Sequence, residues 1–268
     1  MGLKYSIAQA CRIGARHSNQ DRVGHSATDA AVLMVVADGM GGHPRGELAA
    51  QLAVDQLVED FARDARPRLE RPEAFLLAAF NRAHWRIARE AHALRLADEP
   101  RTVLVACVVQ DGAVTWLHVG DSRFYLLRAD KVAARSRDDS FIQQLIDMGW
   151  LREEDAGFHP DRNIVVKCIG GNEPPRLQPP SRMPLEPDDV VLLCSDGFWG
   201  PLVPGELAGG LRGGDLQGEV DALVALAEER AGVQCDNVSV VALAWEERPR
   251  HGRTARRTKP ADDLPTEA

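Results

Sequence analysis

The 268-residue chain has only five cysteines, and Cys11, Cys107, Cys168, Cys194 and Cys235 are scattered, odd in number and never spaced C-x-x-C. That excludes a disulfide framework and a thiolate zinc site, and it fits a reducing compartment. No apolar run is long enough to cross a bilayer, and the N-terminus lacks the charged-then-apolar layout of a signal peptide. Excess positive charge is also missing. The 32 Lys and Arg stand against 40 Asp and Glu, a balance of −8, which argues against general affinity for nucleic acid or anionic membrane. There is no G-x-x-x-x-G-K-[ST] loop and no basic patch interleaved with aromatics, so nucleotide binding is disfavoured. These absences predict a soluble, cytoplasmic protein with no nucleic-acid or membrane partner, in which an anionic ligand needs a local basic contact. The M-G-x-x-x-S pattern through Gly2 and Ser6 is a weak acylation signal, since six residues match it often by chance.

What is present is an apolar fraction of 44% with 27% charged residues, enough for one large domain with its own core. Runs rich in β-branched residues predict strands at 5–13, 31–37, 102–110, 114–119, 123–128, 190–194 and 238–244. The segment 31–37 is apolar throughout, as expected of a strand buried on both faces. Asp111-Gly112 between two such runs signals a hairpin, hence antiparallel pairing. Helical spacing covers 46–63, with Leu48, Leu52, Leu57 and Phe61 on one side and Glu59, Asp60 and Arg63 on the other. Further helices are predicted at 72–96, 219–231 and, as short pieces, 141–148 and 152–156. The stretch 170–187 is crowded with Pro and Gly and reads mostly as loop. The domain is expected to span 1–246. The charged remainder, 247–268, has too little apolar surface to offset its conformational entropy and reads as a disordered tail.

Four segments share one grammar, an apolar run that meets an aspartate beside a small or polar residue: AVLMVVADGMGGH with Asp38, VTWLHVGDSR with Asp121, VVLLCSDGFWG with Asp196 and, reversed, QCDNVSVVAL with Asp236. Carboxylates gathered at the rim of a sheet repel one another unless a cation lies between them. A single D-G is usually an ordinary turn. Four strand-end aspartates make a site for Mg²⁺ or Mn²⁺ the better reading, because hard dications select carboxylate and carbonyl oxygens. Asp38 can bridge two such ions, with the Gly39 carbonyl facing one of them, and Asp196 and Asp236 complete the cage.

In order along the chain, R-x-x-x-Q-D, V-A-D-G-M-G-G-H-x-x-G-E, H-V-G-D-S-R-x-Y-L-L-R, H-P-x-R-N, L-L-C-S-D-G and D-N-V-S-V-V resemble the metal-dependent protein phosphatases of the protein phosphatase 2C family, and the bacterial branch most of all. Each motif is weak alone, and six in order are specific. The resemblance implies an α+β fold, a four-layer α-β-β-α sandwich of two antiparallel sheets. It implies hydrolysis of phosphoserine and phosphothreonine in proteins by a water that two metal ions activate, with no protein nucleophile. By the same resemblance Asp38, Asp196, Asp236 and the Gly39 carbonyl are ligands of the two catalytic ions, and Asp121 with Asp196 matches a third site. Asp21 matches the acidic residue that holds metal-bound water, with Gln20 standing where many relatives have glutamate. Arg16 aligns with the phosphate-binding arginine, and its forked donors suit two phosphate oxygens. A proton for the leaving alkoxide comes from His43 or from water. The implied partners are phosphoproteins, including a bacterial serine/threonine kinase and its substrates, and the chain is expected to act as a monomer.

Two departures stand out. Arg101-Thr102-Val103 replaces the family's G-T-T, and Val233-Gln234-Cys235 stands before the last D-N in place of G-G. They motivate an alternative reading, a catalytically weak domain of the same fold that binds phosphoproteins. A phosphodiesterase or nucleotidase is a third reading, which the acidic charge disfavours. His118 within a strand reads as a satisfied core residue, His159 as a brace for its loop, and Cys194 and Cys235 as packing residues. The segment 137–170 corresponds to a mobile flap that borders the active site in relatives and influences substrate choice.

Overall fold

The computed structural model describes residues 3–40, 45–96 and 98–246. The expectations for Gly2, for His43 in its glycine-rich loop and for the tail 247–268 lie outside them.

The chain runs β1 (Tyr5–Arg12), β2 (Arg22–Ala27), β3 (Ala31–Gly39), α1 (Gly46–Asp64), α2 (Pro72–Ala93), β4 (Arg101–Gln110), β5 (Ala113–Val119), β6 (Arg123–Arg128), β7 (Lys131–Arg135), α3 (Phe141–Asp147), β8 (Ile169–Gly170), β9 (Ser181–Pro184), β10 (Val190–Cys194), α4 (Asp196–Trp199), α5 (Pro204–Gly210), α6 (Leu216–Ala231) and β11 (Val238–Trp245). One sheet has the order β1-β11-β10-β6-β7 and the other β2-β3-β4-β5-β9, with β8 paired to the start of β4. All the pairings are antiparallel.

Why the apolar runs are continuous follows from what each face meets. Along β3, Ala31, Leu33, Val35 and Ala37 pack with residues of α1 and α2. The alternate residues Val32, Met34 and Val36 pack instead with Leu126, Val191, Leu193 and Val241 of the other sheet. That sheet turns its remaining face, including Tyr125, Leu192, Val240 and Ala242, to α4, α5 and α6. The result is a four-layer α-β-β-α sandwich, as the resemblance implies. At the seam between the sheets the rings of Trp116 and Phe124 stack with centroids 4.1 Å apart and planes 5° from parallel.

Most expected elements stand within a few residues of their bounds, and the differences have local causes. The second helix ends at Ala93, because Leu94 caps it and Arg95 takes a left-handed φ of 52°. Residues 153–158 form a 3-10 turn in place of the short helix at 152–156. Strands β7 and β9 form in KVAAR and SRMP, which have little burial of their own and owe their shape to pairing with β6 and β5. Asp60 is not on a solvated face of α1. It is fully buried, and its carboxylate accepts from Arg63 Nη1 at 2.8 Å and from Arg82 Nε at 2.7 Å, which ties α1 to α2. Among the described residues no helix is long and apolar enough to cross a membrane.

Candidate active site

Strand register brings the aspartates together. In one sheet β10 ends at Cys194, which pairs with Arg123 of β6 and Val240 of β11, while Val238 pairs with Arg12 of β1. Asp121, Asp196, Asp236 and the loop 13–20 therefore leave this sheet at one edge. In the other sheet Asp38 pairs with Val103, and Ala37 with Arg22, so Asp38 and Asp21 share an edge too. The face-to-face packing sets these two edges against each other.

Close backbone approach fixes the turns. At Gly39 a Cβ would overlap the backbone of Gly46, and the Gly39 N–H donates to the Gln20 carbonyl at 3.2 Å. Gly14, with a φ of 59°, packs against the Asp236 carbonyl so tightly that no side chain fits there. Thr102 Oγ1 donates to the Asp38 carbonyl at 2.6 Å, and the Met40 N–H to the Arg101 carbonyl at 3.0 Å. The segment 101–103 is thus bonded to the backbone of the Asp38 turn. Likewise Cys235 accepts from the Ala15 N–H at 3.0 Å.

Arg16 Nη2 donates to Asp236 Oδ2 at 2.6 Å, and Asp236 Oδ1 accepts from the Asn237 N–H at 2.8 Å. Asp21 is buried, and its Oδ2 accepts from Ser195 Oγ at 2.8 Å. Asp121 is also buried, and its carbonyl accepts from Trp199 Nε1 at 3.0 Å. Above that indole lies the Arg123 guanidinium, 3.3 Å from the ring centroid, and it forks onto both oxygens of Asp138 at 2.9 and 2.7 Å. Because the Asp139 N–H donates to the Gly120 carbonyl at 2.8 Å, the segment beginning at 137 is anchored directly beside Asp121.

The electrostatics are those of crowded carboxylates. Burial raises Asp38 well above the ordinary carboxylate range, and the charges of Asp21, Asp196, Asp121 and Asp236 raise it further. Burial likewise lifts Asp21 to about 7, Asp196 to about 6 and Asp121 well above its usual value, with the negative charge of Asp196 adding to the rise at Asp21 and Asp121. The donors are all oxygens and all acidic, which is the chemistry a hard dication requires. Among the described residues no three His, Cys, Asp or Glu side chains are so placed that they could hold a metal ion between them, so the fit to a metal rests on the chemistry of the donors. Asp38 lies within hydrogen-bonding reach of both Asp21 and Asp196, and Asp236 is engaged by Arg16. The donor set fits a divalent ion on its chemistry.

Other expectations resolve plainly. His118 is half-buried and not a core residue, with its Nε2 2.7 Å from the Arg137 carbonyl, and His159 Nδ1 accepts from the Asp161 N–H at 3.2 Å within its own loop. Cys194 and Cys235 are buried, and burial raises both thiols. Sequence reasoning missed Ser195, Trp199, Arg123 and Asn237. Each adjoins or lies close to a motif aspartate, and that proximity is the one signal that could have found them.

A profile of the protein phosphatase 2C family matches residues 9–208. The chain belongs to the protein phosphatase 2C family. It is 33% identical over 247 residues to the serine/threonine protein phosphatase PstP of Mycobacterium tuberculosis, a match that covers 89% of this chain and 44% of that one. The chain thus spans less than half the length of that relative. Among solved structures, the serine/threonine phosphatase Stp1 of Staphylococcus aureus superposes with a TM-score of 0.84 at 27% identity, covering 92% of this chain and 97% of that one. The catalytic domain of PstP in complex with two manganese ions does so with a TM-score of 0.73 at 27% identity, covering 92% and 99%. The protein phosphatase 2C fold is therefore shared across nearly the whole described chain.

Proposed function

We propose that this member of the protein phosphatase 2C family is a serine/threonine phosphoprotein phosphatase that uses a pair of Mg²⁺ or Mn²⁺ ions and opposes a bacterial serine/threonine kinase. The observation that carries the reading is the meeting of five aspartates and one arginine where the edges of two sheets face each other. Asp38, Asp196 and Asp236, with the carbonyl of Gly39, would hold the two ions, and Asp121 with Asp196 a third. When bound, such ions supply a water acidic enough to ionise near neutral pH and neutralise charge on the phosphoryl oxygens.

The chain's own residues supply the rest. Arg16 offers two parallel N–H donors to a phosphate while its link to Asp236 keeps it at the rim. Asp21, fixed by Ser195, is the outer acceptor that orients water. The leaving alkoxide needs a proton, which His43 or water donates. The bonds of Thr102 to the Asp38 turn and of Cys235 to the Arg16 loop support an active enzyme over a binding module. A monomer that works in the cytoplasm on phosphoproteins completes the proposal.

The test is turnover of p-nitrophenyl phosphate and of phosphoserine and phosphothreonine peptides with manganese, before and after a chelator. Chelator-sensitive hydrolysis of the peptides, with none of a nucleotide diester, is the expected result. Background turnover with manganese bound would favour the binding module instead.

A further inference from the structure

Arg16 lies in a segment, residues 13–20, that belongs to no strand or helix, yet it must present a guanidinium at a defined distance from the aspartates. The far end of this loop is tied at Asn19, whose carbonyl accepts from Arg22 Nη1 at 2.9 Å and whose Nδ2 donates to Cys11 Sγ at 3.2 Å, and the stretch around Arg16 has fewer contacts. The Ala15 N–H donates to the Cys235 carbonyl, Gly14 packs on the Asp236 carbonyl, and three bonds come from one buried amide. Asn237 Nδ2 donates to the Ile13 carbonyl at 2.8 Å and to the Ser18 carbonyl at 3.0 Å, and its Oδ1 accepts from the Gln20 N–H at 2.8 Å. The three bonds bracket Arg16 on both sides. They also fix the amide's orientation, since exchanging O and N would oppose like atoms at all three. Gln20 in turn accepts from the Gly39 N–H, so the same side chain reaches the Asp38 turn through one residue.

We infer that Asn237 is the positioning residue for the phosphate arginine, holding the Arg16 loop at a set distance from the metal aspartates. This rests on the proposed role of Arg16. Removing the amide releases the Ile13 and Ser18 carbonyls and the Gln20 N–H at once, which widens the conformers open to the stretch between the bonds at Ala15 and Asn19. Because Asn237 follows Asp236 directly, the loop is registered on a candidate ligand strand rather than on a distant part of the fold. The side chain is bonded to the backbone of the loop and, among the described residues, to no aspartate carboxylate, so its loss acts through Arg16.

A double-mutant cycle tests this, with the KM for p-nitrophenyl phosphate, the inhibition constant of inorganic phosphate and the calorimetric affinity for Mn²⁺ measured on Arg16→Ala, Asn237→Ala and the pair. Asn237→Ala is expected to raise the KM and the phosphate inhibition constant about tenfold, as a misplaced binding group does, with a smaller change in kcat and unchanged Mn²⁺ affinity. In the Arg16→Ala background it is expected to change the phosphate constant no further. Equal losses in both backgrounds, or loss of Mn²⁺ affinity in place of phosphate affinity, would overturn the inference. If Arg16→Ala itself leaves the phosphate constant unchanged, the reading of Arg16 fails first. Should Asn237→Ala not fold, Asn237→Asp carries the same test, because it keeps the volume and the acceptor while setting an oxygen against two carbonyls.

Discussion

Arg16 and Asp236, 220 positions apart in the chain, are joined at 2.6 Å by the Nη2 of one and the Oδ2 of the other. The fold thereby links a candidate phosphate anchor to a candidate metal ligand in a single contact. An arginine suits this better than a lysine, since one edge of the planar fork can rest on Asp236 while the other faces an anion.

Replacing Arg16 by alanine should therefore raise the KM for phosphate esters by about tenfold or more, the worth of a charge-assisted hydrogen bond, with a smaller loss in kcat. Arg16→Lys should recover little of it. Steady-state kinetics on the three proteins decide the matter, and a lysine variant as good as the parent would remove the argument for forked recognition.

Asp38→Asn should abolish turnover at saturating manganese. The same change should stabilise the metal-free protein, because Asp38 is buried among four carboxylates that raise its proton affinity. A rise of about 2–4 °C in Tm is the scale of a 1 kcal/mol gain in a chain this size. Retained activity, or a lower Tm without metal, would contradict the placement of Asp38 at the centre of the cluster.

The pH dependence has a definite sign. Asp21 is pushed up to about 7 and Asp196 to about 6 in the fold, whereas in the unfolded chain both titrate near the usual carboxylate value of about 4. Between these limits the folded form binds more protons, so the stability of the metal-free protein falls as pH rises through that window. Divalent metal competes with those protons, and the Tm gained on adding Mn²⁺ should be larger at about pH 7.5 than at about pH 5. Thermal melts with and without chelator at both pH values measure it, and an equal gain at both would exclude coupled carboxylates at the site.

Far from the site, Asp60 joins α1 to α2 through Arg63 and Arg82. Asp60→Ala should cost about 1–3 kcal/mol of stability, the scale for removing a buried, charge-assisted partner, because both arginines are partly exposed and can rehydrate. Denaturant melts should register the loss while kcat and KM stay unchanged, and the pair Asp60→Ala with Arg82→Ala should lose less than the sum of the two.

Much of this arrangement was legible before any coordinates. An apolar run that stops at a carboxylate is a local pattern, and Asp38, Asp121 and Asp196 each carry it. The continuous apolarity of β3 reported burial on both faces, which the two packing layers explain. What escaped notice depends on partners distant in the chain. Strands β7 and β9 are polar edges whose extended form comes from a neighbour. Asp60 was assigned to the polar side of its helix because periodicity says nothing of an arginine 22 residues further on. Asn237 and Ser195 act through hydrogen bonds to residues 224 and 174 positions away in sequence, and no spacing rule announces such bonds.

The stacked pair of Trp116 and Phe124 joins strands of opposite sheets, and the aspartates are divided between those same sheets. A substitution that thickens or thins this hydrophobic seam is expected to alter the span across which the carboxylates face one another. The spacing of the candidate ligands is in this sense a property of the protein's interior, and a conservative exchange deep between the layers is expected to retune the proposed ion affinity with every one of those aspartates left in place.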